Sequence, residues 1–232
     1  MAIFSQSFFD QIFKWWEAYA KPVPSPAPPI LPPPPIIKPM FSDIVTDVFL
    51  AQIANVFKMK LNKEQGDAVR LLAKECDAQG ITDQRQFAYI LATCRNECMF
   101  KSIKEIRAKK GTEVYRLQER YWYEGFYGRG FSQLTWRYNY LKFSKIVGAD
   151  LVNNPDKVLQ PEIGAKILVH GMRTGIFTGK KLSDFINAVI CDYFGARSTV
   201  NGIRSVEGKR QADLVSRAAE RFYDIITAFA PK

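Results

Sequence analysis

Histidine occurs once among the 232 residues of this chain, and cysteine only four times. So few thiols do not make a disulfide framework in a chain of this length. Cys94 and Cys98, four apart, share a helix face, but a metal site would need further ligands, and His170 stands in an unrelated segment, "ILVHGM". Cys76, Cys94, Cys98 and Cys191 therefore read as small buried hydrophobes, and His170 as a structural residue on an apolar helix. No metal and no cofactor is implied. A compact run of Arg or Lys is also missing, as is any helix-turn-helix, RNP or zinc-finger spacing, which argues against nucleic acid as a partner. No internal repeat is present.

What the chain does have is apolar residues (47%) enough to bury a core, and a formal charge of +10 with a pI near 9.4. A basic surface suits a polyanion such as anionic lipid or the acidic polymers of a bacterial envelope.

Three regions are expected. Residues 1–20, "MAIFSQSFFDQIFKWWEAYA", place Phe4, Phe8, Phe9, Ile12, Phe13, Trp15, Trp16 and Tyr19 on one half of a helix, with polar residues on the other. The polar half is incompatible with a spanning helix and with the apolar stretch of a secretory signal. An anchor lying in a membrane surface and a docking helix for a protein groove both remain open; a helix packed on its own domain, the third reading, is disfavoured by the proline-rich segment that follows. Residues 21–39 are more than half proline. Such a segment forms a polyproline rod of roughly 55–60 Å, a semi-rigid spacer. Residues 40–232 read as the working domain.

That domain reads as mainly helical. Helices are expected in "SDIVTDVFLAQIANVF", capped near Ser42, and in "NKEQGDAVRLLAKECDAQG", stopped by Gly80. A third, "TDQRQFAYILATCRNECM", takes Thr82 as its cap. The periodicity is lost over 101–130, where Val114, tyrosines and Trp122 around Gly111 and Gly125 predict a small hairpin or ordered loops. Helical patterns return in "WRYNYLKFSKIV" up to Gly148, "PEIGAKILVHGMRTG", "KLSDFINAVICDYFGARSTVNG" and "KRQADLVSRAAERFYDIITAF".

The chemically informative stretch is "YGRGFSQLTWRYNY" at 127–140. It is too polar for a core and too aromatic for an ordinary solvated loop. Its glycines permit close backbone approach. Gln133, Thr135 and Asn139 offer neutral hydrogen-bonding groups, and Trp136, Tyr138 and Tyr140 offer ring faces. Thr135 also stands where a cap for the next helix belongs. Stacking faces and amides beside two carboxylates are what glycoside hydrolysis requires.

This stretch, with "VGADLVNNPDKV" and "GARSTVNG", resembles the signature of glycoside hydrolase family 19, which includes chitinases and phage endolysins of the lysozyme-like superfamily. The resemblance runs from about Phe87 to the C-terminus. The compact phage members are nearer, because the domain is short and "GMRTGIFTGKKLSDF" is similar to their helical connection. It implies an α+β lysozyme-like fold that is mainly α, a two-lobed helical domain with a small β-hairpin flanking a cleft.

In that family a His-Glu pair ends a helix and the glutamate is the general acid. The matching "ATCRNEC" assigns the acid to Glu97, with Asn96 in the histidine's place, and Cys94, Cys98, Met99 and Phe100 as candidate walls around it. The second carboxylate falls at Glu105, with Glu124 in reserve. On one unbroken helix, eight residues would separate the two by about 12 Å, more than the roughly 6.5–9.5 Å of an inverting pair. A break between Met99 and Ser102 is therefore predicted. Without a catalytic role, Glu105 would be a surface residue paired with Lys104 or Arg107. By the same resemblance Gln133 and Thr135 hold sugar and water, Tyr138 and Asn139 are subsite contacts, and Asn201 and Arg217 form the far wall. Arg129 reads as structural, tying the loop to an acidic neighbour, and Arg197 as either.

The function implied is a peptidoglycan hydrolase acting on murein glycan strands at the bacterial cell wall, in the periplasm. It would cleave the β-1,4 bond by inversion, held at a membrane surface or by a virion protein through residues 1–20. A chitinase, and an inactive wall-binding or virion protein on the same scaffold, are the alternatives.

Overall fold

The structure is a computed structural model that describes residues 41–230; the expected N-terminal helix and Pro-rich spacer lie outside them. Eight α-helices follow among the described residues: α1 (Phe41–Ile44), α2 (Asp47–Val56), α3 (Lys63–Ala78), α4 (Gln84–Cys98), α5 (Glu113–Trp122), α6 (Arg137–Val147), α7 (Pro161–Thr174) and α8 (Val206–Phe229). Short 3₁₀ turns occupy Pro155–Leu159, Leu182–Asp184 and Gly195–Thr199.

The centre is α4. Every residue from Phe87 to Cys94 is buried, as expected of a helix surrounded by protein on all sides rather than lying on a surface. Its most extensive partner is α8, whose Val215, Ala219, Phe222 and Ile226 supply one apolar stripe at helical spacing. On the other side α3 packs on α7 and receives α1. A second, smaller core gathers Phe126, Leu134, Tyr140, Phe143, Leu151, Val158 and Ile167 beneath α6, and Phe177 packs against both cores.

Caps explain most helix ends. Asn62 and Gln65 exchange hydrogen bonds of 2.9 and 3.0 Å in a capping box that starts α3. Gly80, at φ +74°, stops that helix as expected, and Gly148 in the left-handed region closes α6.

Elsewhere the expectations need correction. The helix expected from Ser42 onward is broken, because Thr46 turns extended and accepts from Phe49 N to cap a new helix. The amides of Phe41 and Ser42 instead donate to the two carboxylate oxygens of Asp77, each at 2.9 Å. Asp83, not Thr82, caps α4. The stretch 181–202, expected to be helical, holds only two 3₁₀ turns and a bridge between Ile186 and Cys191. Asn187 is the reason: its side-chain oxygen accepts from Val189 N and Ile190 N, which closes a tight turn. Cys191 is exposed, whereas Cys76, Cys94 and Cys98 are buried as expected.

Where a hairpin or ordered loops were expected around Gly111 and Gly125, the chain forms helix α5, capped by Thr112. Its inward face carries Tyr115, Gln118 and Trp122, and the guanidinium of Arg107 lies 4.2 Å from the Tyr115 ring and 4.8 Å from that of Trp122. A helix that buries an amide and a cation between rings shows no apolar period. Among the described residues β structure amounts to isolated bridges, of which Lys104–Arg129 and Arg129–Leu134 lie beside the 127–140 stretch.

Gly171 allows the closest approach in the fold. A Cβ there would meet the Phe177 ring at 1.9 Å. Gly171→Ala is expected to destabilise the domain by about 1–3 kcal/mol and to lower Tm by roughly 2–4 °C for each kcal/mol in a thermal melt. An unchanged Tm would show that the ring has room to move.

Candidate active site

The site begins where α4 ends. Met99 and Phe100 follow Cys98 with φ of +54° and +60°, two successive side-chain-bearing residues in the left-handed region. Each costs on the order of 1–3 kcal/mol. Two contacts offset that cost: Gln65 Nε2 donates to Met99 O at 2.8 Å, and the Phe100 ring is fully buried, edge-on to Phe222. The chain reverses as predicted from the carboxylate spacing. It then pairs with the 127–140 stretch, Glu105 N donating to Gly128 O at 2.8 Å and Gly130 N to Ile103 O at 3.0 Å.

Glu97 and Glu105 thereby line one cavity of about 400 Å³, together with Gly128, Gln133, Thr135, Trp136, Tyr138, Asn139 and Asn201. That volume lies within the usual range for small-molecule sites. Leu134, Phe177 and Val200 supply its apolar lining. Cys94, Cys98, Met99 and Phe100, expected as walls, do not line it; Phe100 and both thiols turn into the core, and Met99 faces outward.

Each carboxylate has its own partners. Glu97, mostly buried, is ion-paired with Arg197 Nη1, and the Arg197 side chain is itself 6% exposed. Arg197 comes from the 3₁₀ turn Gly195–Thr199, and its carbonyl accepts from Asn201 N at 3.0 Å, linking it to the Asn201 wall. Asn96, at the position of the family's histidine, turns to α8 and donates to Gln211 Oε1 at 3.0 Å. Glu105 is no surface residue: Lys104 pairs with Asp156 instead, and the Glu105 carboxylate accepts from Gln118 Nε2, Tyr121 OH and Gly128 N.

The stretch between them is held from below. Arg129, 3% exposed, donates to Asp156 Oδ1, to the carbonyls of Gly125 and Tyr127 and to the Tyr140 hydroxyl, at 2.8–3.0 Å. This is the structural tie expected of it. The Lys104 ammonium, with Arg129, holds the Asp156 carboxyl below its ordinary range despite partial desolvation. Burial pushes the Tyr140 phenol up to about 12, so it remains a donor, here to Tyr127 O.

Gly130, at φ +71°, is required because a Cβ would meet Val158 O at 2.7 Å, and a Cβ on Gly128 would meet Gln133 Oε1 at 2.9 Å. These glycines serve close packing within the site. Gln133, itself at φ +50°, donates its amide to Ile103 O and Gly130 O. Thr135 does not cap α6: its hydroxyl donates to Gln133 O, and the cap position belongs to Trp136 at φ +74°. Asn139 Nδ2 donates to Thr135 O at 2.8 Å, while its side-chain oxygen is buried without a partner among the described residues.

Two expected residues lie elsewhere. Arg217 does not line the cavity; it stands exposed on α8 and pairs with Asp213 one turn away. Glu124, the reserve carboxylate, is exposed and also outside the cavity. Gln118 and Tyr121, which hold Glu105, were missed because their segment was read as a hairpin or loops. The i, i+3 spacing of an amide and a phenol ahead of the glycine-rich stretch was the available signal.

Fold and cleft together define a class: a mainly helical domain, as the resemblance implied, with two carboxylates lining one polar cavity. The model of glycoside hydrolase family 19, described as chitinase class I, matches residues 107–169. Two curated plant proteins are similar over a short stretch. An endochitinase of Brassica napus is 51% identical over 35 residues, which are 15% of this chain and 11% of that protein. Endochitinase 1 of Theobroma cacao is 55% identical over 31 residues, 13% and 10% of the two chains. The chain thus matches about a tenth of the length of these curated relatives. Among solved structures, chitinase C from Streptomyces griseus HUT6037 shares the fold with a TM-score of 0.51 at 20% identity, covering 82% of this chain and 79% of that one.

Replacing Arg197 with alanine leaves the mostly buried Glu97 carboxylate unpaired. It is expected to cost about 3–5 kcal/mol, read as a lowered urea midpoint, with Arg197→Lys recovering part of the loss. A midpoint equal to that of the parent would show that solvent reaches the carboxylate freely.

Proposed function

We propose that this domain hydrolyses the β-1,4 glycosidic bond of bacterial murein by a single inverting displacement. Glu97 acts as general acid toward the leaving oxygen, and Glu105 as general base toward the attacking water. The observation that carries this reading is the chain reversal that brings both carboxylates to one cavity. Arg197 orients the Glu97 carboxyl. Gln133 and Thr135 hold sugar and water, and Tyr138, more than half exposed, offers a ring face for stacking. Asn139 has a buried acceptor suited to a hydroxyl or acetamido N–H of the glycan. Asn201 closes the far side, without Arg217.

Murein is favoured over chitin by the charge of +10, which suits an acidic wall polymer. The chitin reading rests on the family description and on the endochitinases matched. A catalytically inactive wall-binding protein would need no paired carboxylates in a cleft.

Residues 1–20 would hold the enzyme at a membrane surface or a virion protein, and residues 21–39 would let it reach the wall from there. Removing 1–39 is then expected to leave hydrolysis of purified murein intact while abolishing association with liposomes or particles. Loss of hydrolysis would instead make the segment part of the catalytic domain.

Glu97→Gln and Glu105→Gln are each expected to lower kcat on purified murein by about 10²–10⁴-fold, with the first product released in the α configuration by proton NMR. Chitin assayed beside murein separates the two substrates. Unchanged lysis of permeabilised cells by Glu97→Gln would overturn the enzyme reading.

A further inference from the structure

Glu105 is held more completely than a base needs to be if it only has to sit in a cleft. Its Oε1 accepts from both Gln118 Nε2 at 2.9 Å and Tyr121 OH at 2.8 Å, while Oε2 accepts from Gly128 N at 2.9 Å. A carboxylate oxygen offers two lone-pair directions. Oε1 has both of them taken, and Oε2 keeps one. We propose that Gln118 and Tyr121 are positioning residues that lock the Glu105 carboxylate so that Oε2 alone is presented to the attacking water. The proposal rests on the reading of Glu105 as the general base.

The lock is built in two layers. Gln118 is 2% exposed and its amide is fully committed. Besides Glu105, its Nε2 donates to Ile106 O at 2.9 Å, and its Oε1 accepts from Ala108 N at 2.7 Å. The Ala108 N–H can only face the oxygen, so the amide cannot flip, and its N–H groups must point at Glu105 and Ile106. One side chain therefore fixes both the carboxylate and the backbone that carries it.

Tyr121 stands three residues on, on the adjoining face of α5. Its ring meets Trp136 edge-on at 5.0 Å, tying it to the cleft stretch from which Gly128 donates. Burial, and then the carboxylate itself, push its hydroxyl well above the ordinary phenol range. It therefore stays a donor at any pH at which the enzyme works. The second layer is Arg107, set between Tyr115, Trp122 and Tyr123, which holds α5 to the segment that carries Glu105.

Positioning is distinguished from general stability by non-additivity. Tyr121→Phe keeps the ring and removes one donor; Gln118→Met keeps the volume and removes the other. Each is expected to lower kcat on murein about tenfold, the loss of one charge-assisted hydrogen bond, with KM within about twofold of the parent and Tm little changed for Tyr121→Phe. In a Glu105→Gln background the same changes are expected to have almost no further effect on the residual rate.

Tyr121→Phe with parental kcat would overturn the proposal. So would a tenfold loss that persists in full when Glu105 is already Gln. Either result, with Glu105→Gln itself inactive, leaves the base assignment standing. Parental kcat in Glu105→Gln alone would remove the base assignment and this proposal with it.

Discussion

The site depends on one turn of backbone. Met99 and Phe100 both adopt the left-handed conformation, in which a Cβ is unfavourable. Locally they are closed by Met99 N donating to Arg95 O at 2.9 Å and Lys101 N to Cys98 O at 3.0 Å, but their side-chain anchors come from afar. The side chain that fixes Met99 is Gln65, itself placed by the capping box of a helix more than thirty residues earlier, and the ring that anchors Phe100 packs on the C-terminal helix. The main core thus holds the strain that delivers Glu105 to the cavity of Glu97, which is where strained backbone is tolerated when the surrounding structure over-determines it.

The two carboxylates are held by opposite means. Glu97 meets a buried guanidinium, one strong charged partner from a loop one hundred residues away. Glu105 meets three neutral donors from α5 and the glycine-rich stretch. The environment of a carboxylate sets what it can do, and here the two differ in what each is bonded to. Below them Arg129 binds two carbonyls, a hydroxyl and Asp156, so the stretch that forms the cavity floor has a buried ionic anchor in place of regular β pairing. That arrangement explains how so polar a segment can be rigid without being core.

Much of this was legible beforehand. The long helices with apolar spacing, α3, α4, α6, α7 and α8, follow from period and caps, because in each a single face or the whole surface is buried. The stretch 127–140 was readable as a cavity lining from residue types alone, and the break after Met99 from the reach of two carboxylates. What failed shares one cause. Helix α5 buries an amide and a stacked arginine; 181–202 is closed by an asparagine turn; Thr135 bonds locally instead of capping. In all three, polar side chains replace the apolar pattern that periodicity detects. Arg197 was left undecided and Arg217 misplaced for a related reason: which of two arginines reaches a carboxylate is set by loop path, which has no period.

By itself the sequence determined a mainly helical domain with a polar, aromatic, glycine-punctuated cleft segment, and two glutamates whose spacing demanded a chain reversal, since these follow from local chemistry and the fixed rise of a helix. Only the tertiary structure decided that Gln65 and Phe222 hold that reversal, that Arg197 is the partner of Glu97, and that Gln118 and Tyr121 grip Glu105. Those contacts join residues far apart in the chain, or residues on a helix with no apolar stripe. Their geometry comes into being only when the cores close.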